Sequence, residues 1–319
     1  MLTAYFFQEQ FRNELFSELK ISKVQIRSDS EGFVLVAGSA QQSVWAQQVF
    51  SHCEILEFQS IGEAAKRLQE IGQQAGKGFW VDCSVSHHRR ASLIGEKLRV
   101  RKSEPIQYLQ EPPKLKAFGF CLLNQSQILV STNLSTRFPR GEFSFHETKE
   151  APSRAYLKLW ELFSLYSIRP QKGELCLDMG SCPGGWTWVL ANLGCRVLSV
   201  DKAPLDPIVA KNRLVTSVKK DAFTLDPKEL TDKYGAIDWF FSDIICEPHR
   251  LLELIENWRE QTKISNFVCT VKFKAKTDLK TLDRLLQIPG SRAFHLFHNK
   301  HEVTWVLLAH PILDKISLY

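Results

Sequence analysis

The pattern of apolar and polar positions divides the chain into two stretches with different rhythms. Up to about residue 135, apolar runs and amphipathic stretches follow one another without regular alternation. "LTAYFF" reads as a strand, "QEQFRNELFSELK" as an amphipathic helix and "GFVLVAGS" as a second strand. "IGEAAKRLQEIGQQ" carries apolar residues at helical spacing, and "GFWVDCSV" returns to a strand pattern. The stretch from His87 to Lys102, "HHRRASLIGEKLRVRK", reads as a helix, and strands follow at "AFGFCLLN" and "QILVSTN". This order predicts two small α+β units in series, over residues 1–60 and 61–135.

Between Thr136 and Ser153, "TRFPRGEFSFHETKEAPS" mixes Pro, Gly, aromatics and both charges without a period, which predicts an ordered connector over 136–152. From 153 to 319 strands and helices alternate. "LCLDM", "RVLSVD", "LVTSVKKDAF", "AIDWFFSD" and "NFVCTVKF" read as strands, with helices at "WTWVLANLG" and "EPHRLLELIENWREQ". "RAFHLFHN" and "EVTWVLLAH" then follow as two strands with no helix between them. Such a pattern predicts an α/β domain with a doubly wound, mostly parallel sheet and an antiparallel edge.

Composition narrows the class. At 319 residues, 44% apolar and 24% charged, the chain has material for more than one core. It has no run near the ~18 apolar residues of a membrane span, and its start lacks the basic region of a signal peptide. Its eight cysteines are scattered without a C-x-x-C pair, which points to reduced thiols in a cytoplasmic protein and to no metal site. The formal charge of +6 leans towards an anionic partner. The basic cluster Arg89, Arg90, Lys97, Arg99, Arg101 and Lys102 is a candidate RNA contact, with a solvated helix face as the competing explanation.

Candidate chemistry centres on "DMGSCPGGW", Asp178 to Trp186, where a strand ends and a helix begins. A phosphate loop would close with Gly-Lys-Ser/Thr, and a dinucleotide loop would read G-x-G-x-x-G; neither spacing is present. Gly180, Gly184 and Gly185 still suit close approach of a ligand to the backbone. Asp201 ends the next strand, where a carboxylate can accept from ribose hydroxyls. Asp221 and Asp243 follow the third and fourth strands. Acids at four successive strand ends, with no base in the loop, suit a cationic nucleoside such as S-adenosylmethionine.

"CLDMGSCPGGWTWVL" resembles the cofactor loop of FtsJ-like ribose 2′-O-methyltransferases, D-L-G-x-x-P-G-G-W. "APSRAYLKL", "FSDI", "VKFK" and "HEVTW" extend the resemblance. With Cys182 before Pro-Gly-Gly and a long N-terminal region, the sequence is most similar to the RlmM-type 23S rRNA cytidine methyltransferases. The resemblance implies a seven-stranded Rossmann-like sheet preceded by ferredoxin-like and THUMP-like units. It implies S-adenosylmethionine held by Gly180, Cys182, Pro183, Gly184, Gly185, Trp186, Asp201, Asp221 and Asp243. The implied partner is ribosomal RNA, as 23S rRNA or a large-subunit precursor, with no membrane. Ala155 stands where that pattern carries Ser.

The same resemblance implies a Lys-Asp-Lys-Glu tetrad at Lys158, Asp243, Lys272 and Glu302. Lys272 is then the base for a ribose hydroxyl. A base methyltransferase is the first rival, but the strand-four motif reads Ser242-Asp243-Ile244-Ile245, without the Pro-Pro-aromatic that cradles an amine. The second rival is an RNA-binding ribosome-assembly factor with little turnover.

Overall fold

The computed structural model describes residues 1–21, 24–100, 104–110, 115–166 and 168–309. Of the described residues, those within 1–106 and 110–144 form one compact unit, and those within 107–109 and 145–309 form the other.

The first unit contains β1 (Leu2–Phe6), α1 (Arg12–Ile21), β2 (Gln25–Ser30), β3 (Phe33–Ala37), β4 (Gln48–Ser51), β5 (Glu54–Glu57), α2 (Ile61–Ala75), β6 (Gly78–Asp82), α3 (His88–Leu98), β7 (Lys116–Leu122), β8 (Gln127–Ser131) and β9 (Asn133–Leu134). One sheet runs β2-β3-β1-β4-β9 and the other β5-β8-β7-β6. Ala4, Phe6, Phe33, Leu35 and Phe50 of the first sheet share a core with Val81, Cys121 and Leu129 of the second. Gly119 in β7 makes room for this contact, since a Cβ there would collide with the Phe50 ring. Residue 60 lies between β5 and α2.

On the other face of the second sheet, α2 and α3 bury Ala64, Leu68, Ala91 and Ile94 against Trp80, Phe118 and Phe120. A capping box starts α2: Ser60 accepts from the Glu63 amide at 3.2 Å, and Glu63 accepts from the Gln59 amide at 2.8 Å. The helix expected over 87–102 is shorter. It ends at Leu98, where Arg99 adopts a left-handed conformation with φ 54°. Arg101 and Lys102 lie outside the described residues.

The second unit contains α4 (Tyr156–Tyr166), β10 (Leu175–Met179), α5 (Gly185–Asn192), β11 (Arg196–Asp201), α6 (Pro207–Ala210), β12 (Val215–Lys219), α7 (Pro227–Tyr234), β13 (Trp239–Ser242), α8 (Pro248–Gln261), β14 (Asn266–Lys272), α9 (Leu279–Leu286), β15 (Arg292–Phe294) and β16 (Glu302–Leu307). Its seven strands run β12-β11-β10-β13-β14-β16-β15. The neighbours from β12 to β14 are parallel, and β16 is antiparallel to both β14 and β15. All five residues of β10 are buried, as a central strand with both faces covered requires. The strand expected over "RAFHLFHN" stops at Phe294, because Glu161 and the Lys300 carbonyl capture the following residues in a turn. No described helix is long and apolar enough to cross a membrane.

Candidate active site

A cavity of about 430 Å³ opens at the carboxyl ends of β10, β11 and β13, lined by the glycine loop and by Asp178, Asp201, Asp221, Asp243 and Lys272 among others. The order of strands reverses at β10, between β11 and β13, which is where doubly wound sheets take ligands. Gly180 (φ 74°) and Gly184 (φ 114°) use the left-handed region open to glycine. A Cβ on Gly180 would run into Ile244. The Gly180 amide donates to the Val200 carbonyl at 2.8 Å, anchoring the turn to β11. Asp201 braces it further, accepting from the Cys182 amide at 3.0 Å and the Ala203 amide at 2.9 Å. Trp186 is buried and donates its indole N–H to the Ala155 carbonyl at 3.0 Å.

Asp178 is buried beneath the loop, where one carboxylate oxygen accepts from the Thr187 hydroxyl at 2.6 Å. Burial pushes its pKa up to about 7, against the opposing effect of that hydrogen bond. Its other oxygen and the Ser181 hydroxyl, both on residues lining the cavity, are buried without a protein hydrogen-bond partner. Asp221 accepts from the Phe223 amide at 3.0 Å, which with Lys202 holds its carboxyl below the ordinary value. A cavity of this size, rimmed by carboxylates and holding unanswered polar atoms, fits a cationic nucleoside.

One wall of the cavity is built from ion pairs. Lys158, in the first turn of α4, donates to Asp243 Oδ1 at 2.8 Å and pairs with Glu302 Oε1 at 2.9 Å. Lys272 reaches the same Asp243 Oδ1 at 3.0 Å and donates to the Asp243 carbonyl at 2.6 Å. Strand register explains the convergence: Lys272 ends β14, Glu302 opens β16, and the two are direct antiparallel partners. Asp243 follows β13 immediately. Burial opposes the charge on Lys158, but Asp243 and Glu302 outweigh it and hold its pKa above the ordinary lysine value. Burial also opposes ionisation of Asp243; Lys158 and Lys272 overcome this and keep its carboxyl below the ordinary value.

The chain has relatives of known name. A model of FtsJ-like methyltransferases matches residues 151–290. The ribosomal RNA large subunit methyltransferase M of Shewanella sp. strain ANA-3 is 28% identical over 298 residues, covering 84% of this chain and 81% of that protein. The protein of the same name from Shewanella putrefaciens is 30% identical over 299 residues, again covering 84% of this chain and 81% of the relative. This chain belongs to the ribosomal RNA large subunit methyltransferase M family. As a member of the M family it is a methyltransferase, and S-adenosylmethionine is its methyl donor.

In this member of the M family, Gly180, Cys182, Pro183, Gly185 and Trp186 of the glycine loop come together around the cavity with Asp201, Asp221, Asp243 and Lys272; Gly184 does not line it and instead faces Leu205 and Val209. Lys158 and Glu302 stand behind them, tied in through the ion pairs. Arg89, Arg90, Lys97 and Arg99 belong to the other unit. Arg89, Lys97 and Arg99 are exposed on and beside α3, whereas the Arg90 guanidinium lies over the Phe58 ring at 5.2 Å.

Several residues at the site escape sequence reasoning. Phe223 and Arg250 also line the cavity, and the Arg250 guanidinium sits 4.1 Å from the centre of the Phe223 ring. Glu161 lies three residues beyond Lys158 on α4 and is buried. It accepts from the Phe297 amide at 2.7 Å and the His298 amide at 3.0 Å, and meets His298 Nδ1 at 2.5 Å. It thereby holds the turn that leads into Glu302. A lone acid inside the apolar run "YLKLWELFSLY" is the signal that marks it.

Proposed function

We propose that the protein transfers a methyl group from S-adenosylmethionine to a ribose 2′-hydroxyl of RNA, and that the target is a cytidine of 23S ribosomal RNA or of a large-subunit precursor. The observation that carries this reading is the continuous ion chain Glu302–Lys158–Asp243–Lys272, whose last member lines the cavity. The relatives named ribosomal RNA large subunit methyltransferase support the substrate class.

On the cofactor side, Gly180 and Gly185 would bring the backbone close to the ligand, Gly184 makes the turn against Leu205 and Val209, and Cys182, Pro183 and Trp186 shape the wall. Asp201 takes the ribose hydroxyls and Asp221 the adenine amino group, while Asp243 lies towards the reacting end. When bound, S-adenosylmethionine supplies an electrophilic methyl on a sulfonium and departs as S-adenosylhomocysteine.

Lys272 acts as the base. As the bond from O2′ to the methyl carbon forms, the hydroxyl proton passes to Lys272 Nζ. Once its third proton is given up, Lys272 would keep two N–H donors for the Asp243 carbonyl and Oδ1 and a lone pair for the hydroxyl proton. Lys158 is the poorer base because two carboxylates secure its proton. Its work, with Asp243 and Glu302, is to hold Lys272 in line with the hydroxyl.

The first unit is read as ferredoxin-like over 1–60 and THUMP-like over 61–135, and as the RNA-gripping part of the chain. Arg89, Lys97 and Arg99 supply phosphate contacts there, in a protein working in the cytoplasm.

Tritium labelling of unmodified 23S rRNA, with mass-spectrometric mapping of the product, tests the reading. Label on a ribose oxygen is expected. Label on a base refutes it, as does a protein that binds cofactor and rRNA but transfers nothing, which would be an assembly factor.

A further inference from the structure

Ile245 is 81% exposed, more than any other large hydrophobic residue described. A scattered exposed aliphatic is ordinary, but this one is held outward at the mouth of the cavity. On one side Ile244 fills the space above Gly180, and on the other Cys246 is buried and Pro248 starts α8. Both flanks are anchored, so the exposure of Ile245 is built into the loop. Ile208, the other strongly exposed isoleucine at 65%, does not line the cavity.

The surroundings are cationic. Lys274, just past β14, pairs with Glu247 at 2.5 Å, which brings the segment after Lys272 beside the Ile245 loop. Arg250, exposed in the first turn of α8 and resting on the Phe223 ring, lines the same cavity as Ile245. An apolar contact two residues from Asp243, bordered by positive charge, matches a nucleotide that offers a flat base face and phosphates.

We propose that Ile245 is the seat of the target base. The nucleobase whose ribose lies at Lys272 packs one face on the Ile245 side chain. Its nucleotide must then be unstacked from its neighbours, so the substrate presents a single-stranded or splayed-out residue rather than a paired helix. This inference rests on the ribose-methylation reading above.

Ile245→Ala, Ile245→Asp and Ile245→Phe in the full chain test it, with initial rates measured against unmodified 23S rRNA transcript. S-adenosylmethionine affinity is measured by calorimetry alongside. Ile245→Ala is expected to lower kcat/KM for RNA about tenfold, the scale of losing most of one buried isoleucine side chain. Ile245→Asp is expected to lower it further, and Ile245→Phe to keep at least half of it, all three with unchanged cofactor affinity. Rates for the Ala and Asp variants matching the wild type overturn the inference, as does a parallel loss of cofactor affinity. If the wild type labels no ribose, the parent reading falls and takes this one with it; if the wild type labels ribose and the variants do so equally, this one falls alone.

Discussion

Replacing Asp243 by Asn keeps its shape and its backbone carbonyl but removes the charge shared by two lysines. Lys158 and Lys272 touch the same Asp243 oxygen at 2.8 and 3.0 Å, so their ammonium nitrogens lie within about 6 Å of each other. At an effective dielectric of 20, two positive charges at that distance repel by about 3 kcal/mol. The carboxylate offsets this in the native protein, and Glu302 offers partial compensation only to Lys158. Breaking a buried pair costs about 3–5 kcal/mol; with Glu302 retained, Asp243→Asn is expected to cost about 2–4 kcal/mol. For a domain of this size that lowers Tm by roughly 5–15 °C. Differential scanning calorimetry of the full chain at pH 7 reads this directly. Adding Lys158→Met should recover part of the loss, since it removes one of the two repelling charges. The Asp243 carboxyl is held low when folded, so its stabilisation is present above the unfolded carboxyl pKa. It disappears as pH falls through the folded value. A Tm within 2 °C of the wild type at pH 7, or a double variant weaker than either single one, would refute the reasoning.

Lys272→Ala should cut methyl transfer to rRNA at least a hundredfold in a tritium assay, with calorimetric cofactor affinity within about twofold of the wild type. Asp201→Ala removes the acceptor of the Cys182 and Ala203 amides, and equilibrium binding should show S-adenosylmethionine affinity reduced about tenfold or more. Asp178 has its carboxyl pushed up to about 7, so the folded state holds a proton that the unfolded chain has lost above pH ~4. Stability therefore falls as pH rises from about 4 to 7, and urea titrations of Asp178→Asn should show that slope flattened. Gly180→Ala places a Cβ against Ile244 at φ 74°, and thermal melting should reveal a loss of about 1–3 kcal/mol.

The parts of the second unit that read clearly from sequence are those where buried strands give unbroken apolar runs. "LCLDM" and "NFVCTVKF" announce themselves because both faces of β10 and β14 are covered. Strand ends then located Asp201, Asp221 and Asp243 without reference to side-chain geometry, whereas Lys158, Lys272 and Glu302 came from the resemblance to FtsJ-like enzymes. The edges were not legible. All residues of β2 are exposed and three of the four in β5, so neither carries the alternation that signals a half-buried strand. Helices α7 and α9 were passed over although Asp226 and Asp278 cap them, because their short apolar stripes are interrupted by charge. The closing hairpin was legible as an antiparallel edge, but not that β16 lies between β14 and β15. Pairing order depends on which strand is buried on both faces, and β16 is buried almost throughout.

That inserted strand has a bearing on how the ion chain beside the cavity is completed. Because β16 runs against its neighbours, its first residue sits at the edge where the parallel strands finish, and so Glu302 meets Lys158. A nascent chain that has emerged only to residue 290 already carries the glycine loop, Lys158, Asp243 and Lys272. Its Lys158 still faces Asp243 without its second carboxylate, and one flank of β14 has unpaired backbone groups. The ion chain from Glu302 to Lys272 is therefore complete only when β16 is seated between β14 and β15.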